Sequence, residues 1–185
     1  MRIKFLLFVA LVTFSANSFA GILIEPYLGY MTGKNSGSVT INTPITATLD
    51  VDSTTKGAAF GGRLGYDFLL LGAGVEAMSG SLDTDGDDSK LTNLGAFVSF
   101  DLPIMLRFFG TYFFSSKFST ETGGVDYKYK GNGFKAGVGL TTLPFVSINL
   151  EYFSMNYEND DTAVLDNADV NYKGFMLGVS LPLSL

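Results

Sequence analysis

Histidine, cysteine and tryptophan are absent from all 185 residues. Without cysteine there is no disulfide, and without cysteine or histidine the usual ligand sets for zinc, haem and iron–sulfur clusters are missing, as are Cys- and His-based triads. No cofactor and no enzymatic activity are therefore expected. Charge is scarce too: Asp, Glu, Lys and Arg make up 16% of the chain, against about a quarter in ordinary soluble domains. Long apolar runs are missing after the first segment, where no stretch approaches the ~20 consecutive apolar residues of a membrane-spanning helix. What is abundant is glycine, with 22 residues, and aromatic side chains, at 14%. Hydrophobicity spread along a glycine-rich chain points to strands rather than membrane helices.

The N-terminus reads as a secretory signal peptide over residues 1–20. Arg2 and Lys4 supply a positive start, Phe5 to Phe14 an apolar stretch broken only by Thr13, and Ser18, Phe19 and Ala20 a small-residue cleavage box. The apolar stretch is too short to cross a ~30 Å hydrocarbon core as a helix. Cleavage after Ala20 leaves residues 21–185, with 10 basic against 18 acidic residues and a net charge of −8. An exported anionic protein with no basic stripe along its sequence offers nucleic acid no electrostatic footprint.

Eight alternating segments follow, near 22–31, 57–68, 71–82, 90–102, 104–118, 130–142, 145–157 and 170–183. Their lengths suit tilted membrane-spanning strands. The connections alternate between tight turns (68–71, 101–104 and 142–145) and longer polar segments (32–56, 83–89, 119–129 and 158–169). Short turns at one end and long loops at the other are the habit of outer-membrane barrels.

Successive strand residues face opposite sides of the sheet. One parity is apolar in strand after strand, as in Ile22, Ile24, Leu28 and Tyr30; Leu94, Ala96, Val98 and Phe100; Val146, Ile148, Leu150 and Tyr152; and Phe175, Leu177, Val179 and Leu181. The opposite parity carries Glu25, Arg63, Asp67, Glu76, Asp101, Arg107, Lys135 and Glu151, together with glycines suited to a narrow interior. The polar face points inward and the apolar face outward. A soluble lipocalin-like barrel has the inverse arrangement. The expected fold is all-β, an eight-stranded antiparallel up-and-down transmembrane β-barrel over 21–185.

On these features the chain resembles the small outer-membrane β-barrels of the OmpA/OmpX-like class. The resemblance is carried by the alternating architecture, by the opening segment Glu25 to Tyr30 (EPYLGY) and by the final alternating run from Phe175 to Leu185. Members commonly end in an aromatic residue read by the barrel-assembly machinery; here the parity is kept but the last residue is Leu185. The resemblance implies a monomer in the outer membrane of a Gram-negative bacterium, exported through the periplasm. Outer-membrane lipid, lipopolysaccharide and the assembly machinery are the implied partners.

Eight-stranded barrels have interiors just wide enough for side chains to fill. Counted from the short turns, Arg63, Glu76, Arg107, Lys135 and Glu151 lie at similar heights, so with Glu25 three bases and three acids are expected to neutralise one another as a lumen charge network below mid-membrane. The expected role is structural or surface-interacting, with a plugged polar lumen; the alternative is a narrow OmpW-like channel for small solutes. Asp83, Asp85, Asp87 and Asp88 form a candidate divalent-cation loop, but the EF-hand template fits poorly. That template wants glycine sixth and glutamate twelfth, whereas counting from Asp83 glycine is fourth and the twelfth residue is Leu94. A solvated acidic tip is the simpler expectation. With Glu158, Asp160, Asp161, Asp166 and Asp169 it makes the outer rim negative. Tyr30, Tyr112, Phe114 and Tyr152 on one side, and Tyr66, Phe68, Phe100 and Phe145 on the other, read as interfacial girdles.

Overall fold

Period-two alternation leaves each strand with one apolar and one mixed face, and a closed barrel separates these faces while leaving no unpaired backbone edge in lipid. A computed structural model of the protein has this form. It describes residues 21–42, 46–122, 125–143, 145–159 and 168–185. The signal peptide expected over 1–20, Pro144, and the acids at 160, 161 and 166 lie outside the described residues.

The strands in chain order are β1 (Gly21–Asn42), β2 (Thr46–Phe68), β3 (Leu71–Thr84), β4 (Asp87–Asp101), β5 (Leu106–Thr122), β6 (Val125–Leu143), β7 (Val146–Asn159), β8 (Ala168–Ser180) and a two-residue β9 (Leu183–Ser184). Each of β1 to β7 pairs antiparallel with the next, and β1 also pairs with β8, closing an eight-stranded up-and-down barrel. β9 continues the last strand beyond a break at Leu181 and Pro182. It pairs with β1 through Leu23↔Ser184, and Leu185 exchanges backbone hydrogen bonds with Ile22 at 2.9 and 3.0 Å.

Side-chain burial follows the expected parity. Glu25, Arg63, Glu76, Arg107, Lys135 and Glu151 are buried, whereas Leu28, Leu64, Val98, Leu150 and Leu177 are between 51% and 63% exposed. An apolar band of this extent around a whole molecule needs lipid to cover it. The girdle residues Tyr30, Tyr112, Phe114, Tyr66, Phe68, Phe100 and Phe145 all face outward and are exposed.

Two expectations are corrected. The segments 32–56, 83–89 and 119–129 are not long loops. β1 and β2 stay in register as far as Asn42↔Thr46, and β5 and β6 as far as Thr122↔Val125. Both extensions keep an alternating pattern, with Val39↔Leu49 and Ile41↔Ala47 in the first and Phe118↔Tyr129 in the second, but Ser, Thr, Gly and charged residues dilute it so that the stretches read as loop. The acidic segment is likewise a tight turn: Asp85 and Gly86 both have positive φ, 52° and 98°. Asp-Gly with two left-handed residues is the favoured two-residue hairpin connection.

The second correction lies in β5. Its pairing shifts between Phe113 and Ser116 against β6, and between Leu94 and Gly95 on the β4 side. A bulge inserts an extra residue and turns every later side chain over. Unbroken alternation from Arg107 would carry Lys117 into the lumen; instead Ser116 and Phe118 are buried and Lys117 is exposed.

Candidate functional site

The lumen charge cluster is built first by register. Glu25, Arg63 and Glu76 are direct partners across β1, β2 and β3, and Asp101 is the partner of Arg107 across β4 and β5. Opposite charges placed directly across a pair attract at short range. The remaining contacts cross the bore. Arg107 of β5 reaches Glu25 of β1, on the diametrically opposite wall, at 2.9 Å. Arg63 contacts Glu25 at 3.0 Å, Glu76 at 3.3 Å and Glu151 of β7 at 3.1 Å. Lys135 of β6 joins Glu76 to Glu151, the latter at 2.9 Å. All six side chains are buried, and the structure brings all six into one connected cluster.

Asp101 is a seventh member, holding Arg107 through both carboxylate oxygens at 2.7 and 3.2 Å. Three bases thus face four carboxylates. Neutral donors supply the balance: Tyr27 donates to Glu76 at 2.6 Å, Thr111 donates to Glu76, and Ser180 donates to Glu25 at 2.7 Å. The cations also lie against rings. The Arg63 guanidinium is 4.0 Å from the Phe109 ring centroid and 5.0 Å from that of Tyr27, while Lys135 Nζ is 4.9 Å from Tyr27 and 5.5 Å from Phe153. Such contacts contribute ~2 kcal/mol or more where water is excluded. The glycines make room for this stack: a Cβ on Gly137 would overlap the Phe109 ring, and one on Gly61 would overlap Tyr27.

These ring and hydroxyl partners carry a usable sequence signal. Tyr27, Phe109 and Phe153 each stand two residues from Glu25, Arg107 and Glu151, and so share their face and nearly their height. Counting only charges passes over them.

Directly above the charges the expected polar lumen gives way to a largely apolar layer, with buried Asn93, Ser116 and Tyr157 hydrogen-bonded beside it. Met31, Met78, Phe113, Phe153, Met155 and Met176 are buried across it, with the Phe113 and Phe153 rings stacked at 6.4 Å. Higher still, Asn35 donates to Thr55 at 2.7 Å, and Thr55, Thr84, Ser89 and Thr120 form a hydroxyl chain. The cavity between these layers holds about 10 Å³, room for about one water molecule.

The four aspartates of the candidate cation loop are divided by the Asp85-Gly86 turn. Asp83 accepts from the Gly86 backbone N–H and Asp85 from that of Thr54, each at 3.2 Å. Among the described residues no group of three or more carboxylates is placed to hold a metal ion.

No protein-family model matches the chain, and no curated protein matches its sequence. Solved structures do match. The outer membrane protein OprG from Pseudomonas aeruginosa superposes with a TM-score of 0.50 at 12% identity, covering 90% of this chain and 97% of that one. Ail of Yersinia pestis, solved with the heparin analogue sucrose octasulfate, gives 0.48 at 15% identity over 85% and 99%. Neisserial surface protein A gives 0.44 at 17% identity over 85% and 97%. At these identities the likeness is one of fold: the chain has the OmpA/OmpX-like architecture of small eight-stranded outer-membrane β-barrels. With its outward apolar band, the chain has the form of a transmembrane β-barrel.

Proposed function

We propose that the protein is a non-catalytic, monomeric barrel whose lumen is closed by its own side chains, serving a structural or surface-interaction role at the cell envelope. One observation carries this reading. Ion pairs from opposite walls meet in the lower lumen, and methionine and phenylalanine side chains pack directly above them. An ion entering from either end would have to displace both layers. Separating buried partners costs ~3–5 kcal/mol per broken pair, which disfavours the alternative of a narrow OmpW-like channel. The absence of histidine and cysteine from the sequence supports the non-catalytic part. The features of residues 1–20 support export through the periplasm, and the assembly machinery and lipopolysaccharide are the partners such a route implies.

Liposome swelling tests the closure. Vesicles loaded with the folded protein and diluted into isosmotic small sugars or amino acids should swell no faster than empty vesicles. Swelling that scales with the amount of protein would establish the channel reading instead.

A further inference from the structure

The lower lumen carries more acid than the ion-pair cluster accounts for. Asp67, at the foot of β2, has the inward parity of Arg63, so below the apolar layer five carboxylates (Glu25, Asp67, Glu76, Asp101 and Glu151) share the bore with three bases. The bases are committed elsewhere: Arg63 to Glu25, Glu76 and Glu151, Lys135 to Glu76 and Glu151, and Arg107 to Glu25 and Asp101. Two negative charges are left over, and Asp67 is the carboxylate that none of these pairs reaches. A surplus of that size, partly screened from water, calls for a counter-charge.

Register shows where one fits. Asp67, Gly72 and Ser99 stand in one row across β2, β3 and β4. Because the middle residue is glycine, its neighbours lean over it from both sides: a Cβ on Gly72 would overlap both Asp67 Oδ1 and Ser99 Oγ. Both atoms are shielded from solvent and neither has a hydrogen-bond partner, and Ser99 as a whole is only 5% exposed. A buried polar atom without a partner is costly, and two of them facing one gap point to something that sits in it. The walls of the gap are fixed. Asp67 Oδ2 accepts from Ser184 of β9 at 2.8 Å, and the backbone N–H of Asp101 donates to the Leu70 carbonyl at 2.8 Å, tying the end of β4 to the β2–β3 turn. Asp101 is two residues from Ser99 on the same face, and its side chain, 39% exposed, opens the row to the solution at the tight-turn end.

We propose that the row of Asp67, Gly72 and Ser99 binds a hard divalent cation, magnesium or calcium, at the tight-turn mouth of the lumen. Asp67 Oδ1 and Ser99 Oγ are its protein ligands, Asp101 adds a second negative charge at longer range, and water completes the shell from the open side. Oxygen ligation with most waters retained is how such ions bind where only one or two carboxylates are on offer. One divalent ion also cancels the two surplus charges. A bridging water satisfies the same two oxygens but leaves the charge in place. The site stands below the ion-pair cluster, so the ion occupies the mouth without opening a path through the lumen.

The test uses residues 21–185 refolded in non-ionic detergent without lipopolysaccharide, stripped with a chelator and dialysed to equilibrium against radioactive calcium, with magnesium as competitor. Heat-modifiable migration on gels is checked for every variant, so that a misfolded barrel is told apart from a folded one that has lost the site. Wild-type protein should bind one calcium per chain with half-saturation on the order of 0.1–1 mM, displaced by magnesium but not by sodium at equal ionic strength. Asp67→Asn should weaken binding at least ~10-fold, a loss of ~1.4 kcal/mol, and Ser99→Ala should weaken it several-fold. Gly72→Ala keeps every ligand but fills the gap, and should abolish binding; if it does not fold, Ser99→Ala still decides. The combined variant Asp83→Asn, Asp85→Asn, Asp87→Asn, Asp88→Asn, at the opposite end of the barrel, should bind as the wild type does. No calcium bound by the wild type would leave water as the bridge and overturn the site. So would displacement by sodium, unchanged binding in Asp67→Asn or in Ser99→Ala, or a loss confined to the hairpin variant.

Discussion

Replacing Arg63 by Met is the sharpest probe of the lumen, because that guanidinium contacts Glu25, Glu76 and Glu151 at 3.0 to 3.3 Å and is packed between two rings. Methionine fills much of the same volume and keeps the contact with Phe109 and Tyr27, but removes the positive charge. The cluster then holds two bases against four carboxylates. Loss of one member of a buried pair costs ~3–5 kcal/mol, mainly because its partners are left uncompensated. Arg63→Met should therefore lower the unfolding free energy by that amount. Glu76 makes the cleanest second member of a double-mutant cycle: Arg63→Met combined with Glu76→Gln should cost less than the sum of the two single changes, by ~1 kcal/mol or more. Reversible urea unfolding in lipid vesicles provides the measurement. Without tryptophan in the chain, it can be followed by circular dichroism and gel mobility. A cost below about 1 kcal/mol for Arg63→Met, or strict additivity in the cycle, would show that the close contacts carry no energy and that the charges are hydrated.

Neighbouring residues of opposite parity should separate just as clearly. Leu150→Arg places a charge in lipid and should cost roughly 2–4 kcal/mol near the midplane, whereas Glu151→Gln keeps the shape of a lumen residue and should cost less in the same unfolding experiment. Gly137→Ala should cost ~1–3 kcal/mol by pushing Phe109 off Arg63, as overpacking does elsewhere, and Phe109→Leu added to it should recover part of the loss. The cysteine-free chain allows a topology test with single cysteines. Ser36→Cys and Asp88→Cys should react with an impermeant maleimide on intact cells and Leu69→Cys should not; the reverse pattern would invert the barrel in the membrane.

Much of this was legible because the lipid imposes a strict rule. Rows such as Leu94, Ala96, Val98 and Phe100 must face outward, so the charges of the other parity have to face in, and similar heights along the strands bring Glu25 to Arg107 across the bore. What the alternation could not show has two physical sources. Above the bilayer the alternation is diluted by Ser, Thr, Gly and Asn, so the paired residues of β1 and β2 from 32 to 56 look like loop despite Val39, Ile41, Ala47, Leu49 and Val51 on one parity, and the Asp85-Gly86 hairpin was read as part of a longer acidic loop. The second is the bulge near Phe113, where one extra residue reverses everything after it. That reversal sends Phe118 into the lumen and puts Lys117 beside Lys130 on the outer wall. The apolar layer of methionine and phenylalanine went unrecognised for a simpler reason: inward parity was equated with polarity, while a bore this narrow is filled by whatever side chains pack.

The closed lumen is the central claim, and single-channel recording in planar bilayers tests it most directly. The account predicts no steady conductance from the folded wild-type protein at any polarity, and only irregular openings, with loss of stability, from Arg107→Ala, which frees Glu25 and Asp101 from their shared partner. Steady wild-type conductance whose ion selectivity changes in Arg107→Ala or Glu151→Ala at unchanged stability would contradict it, because the charges would then line an open pore.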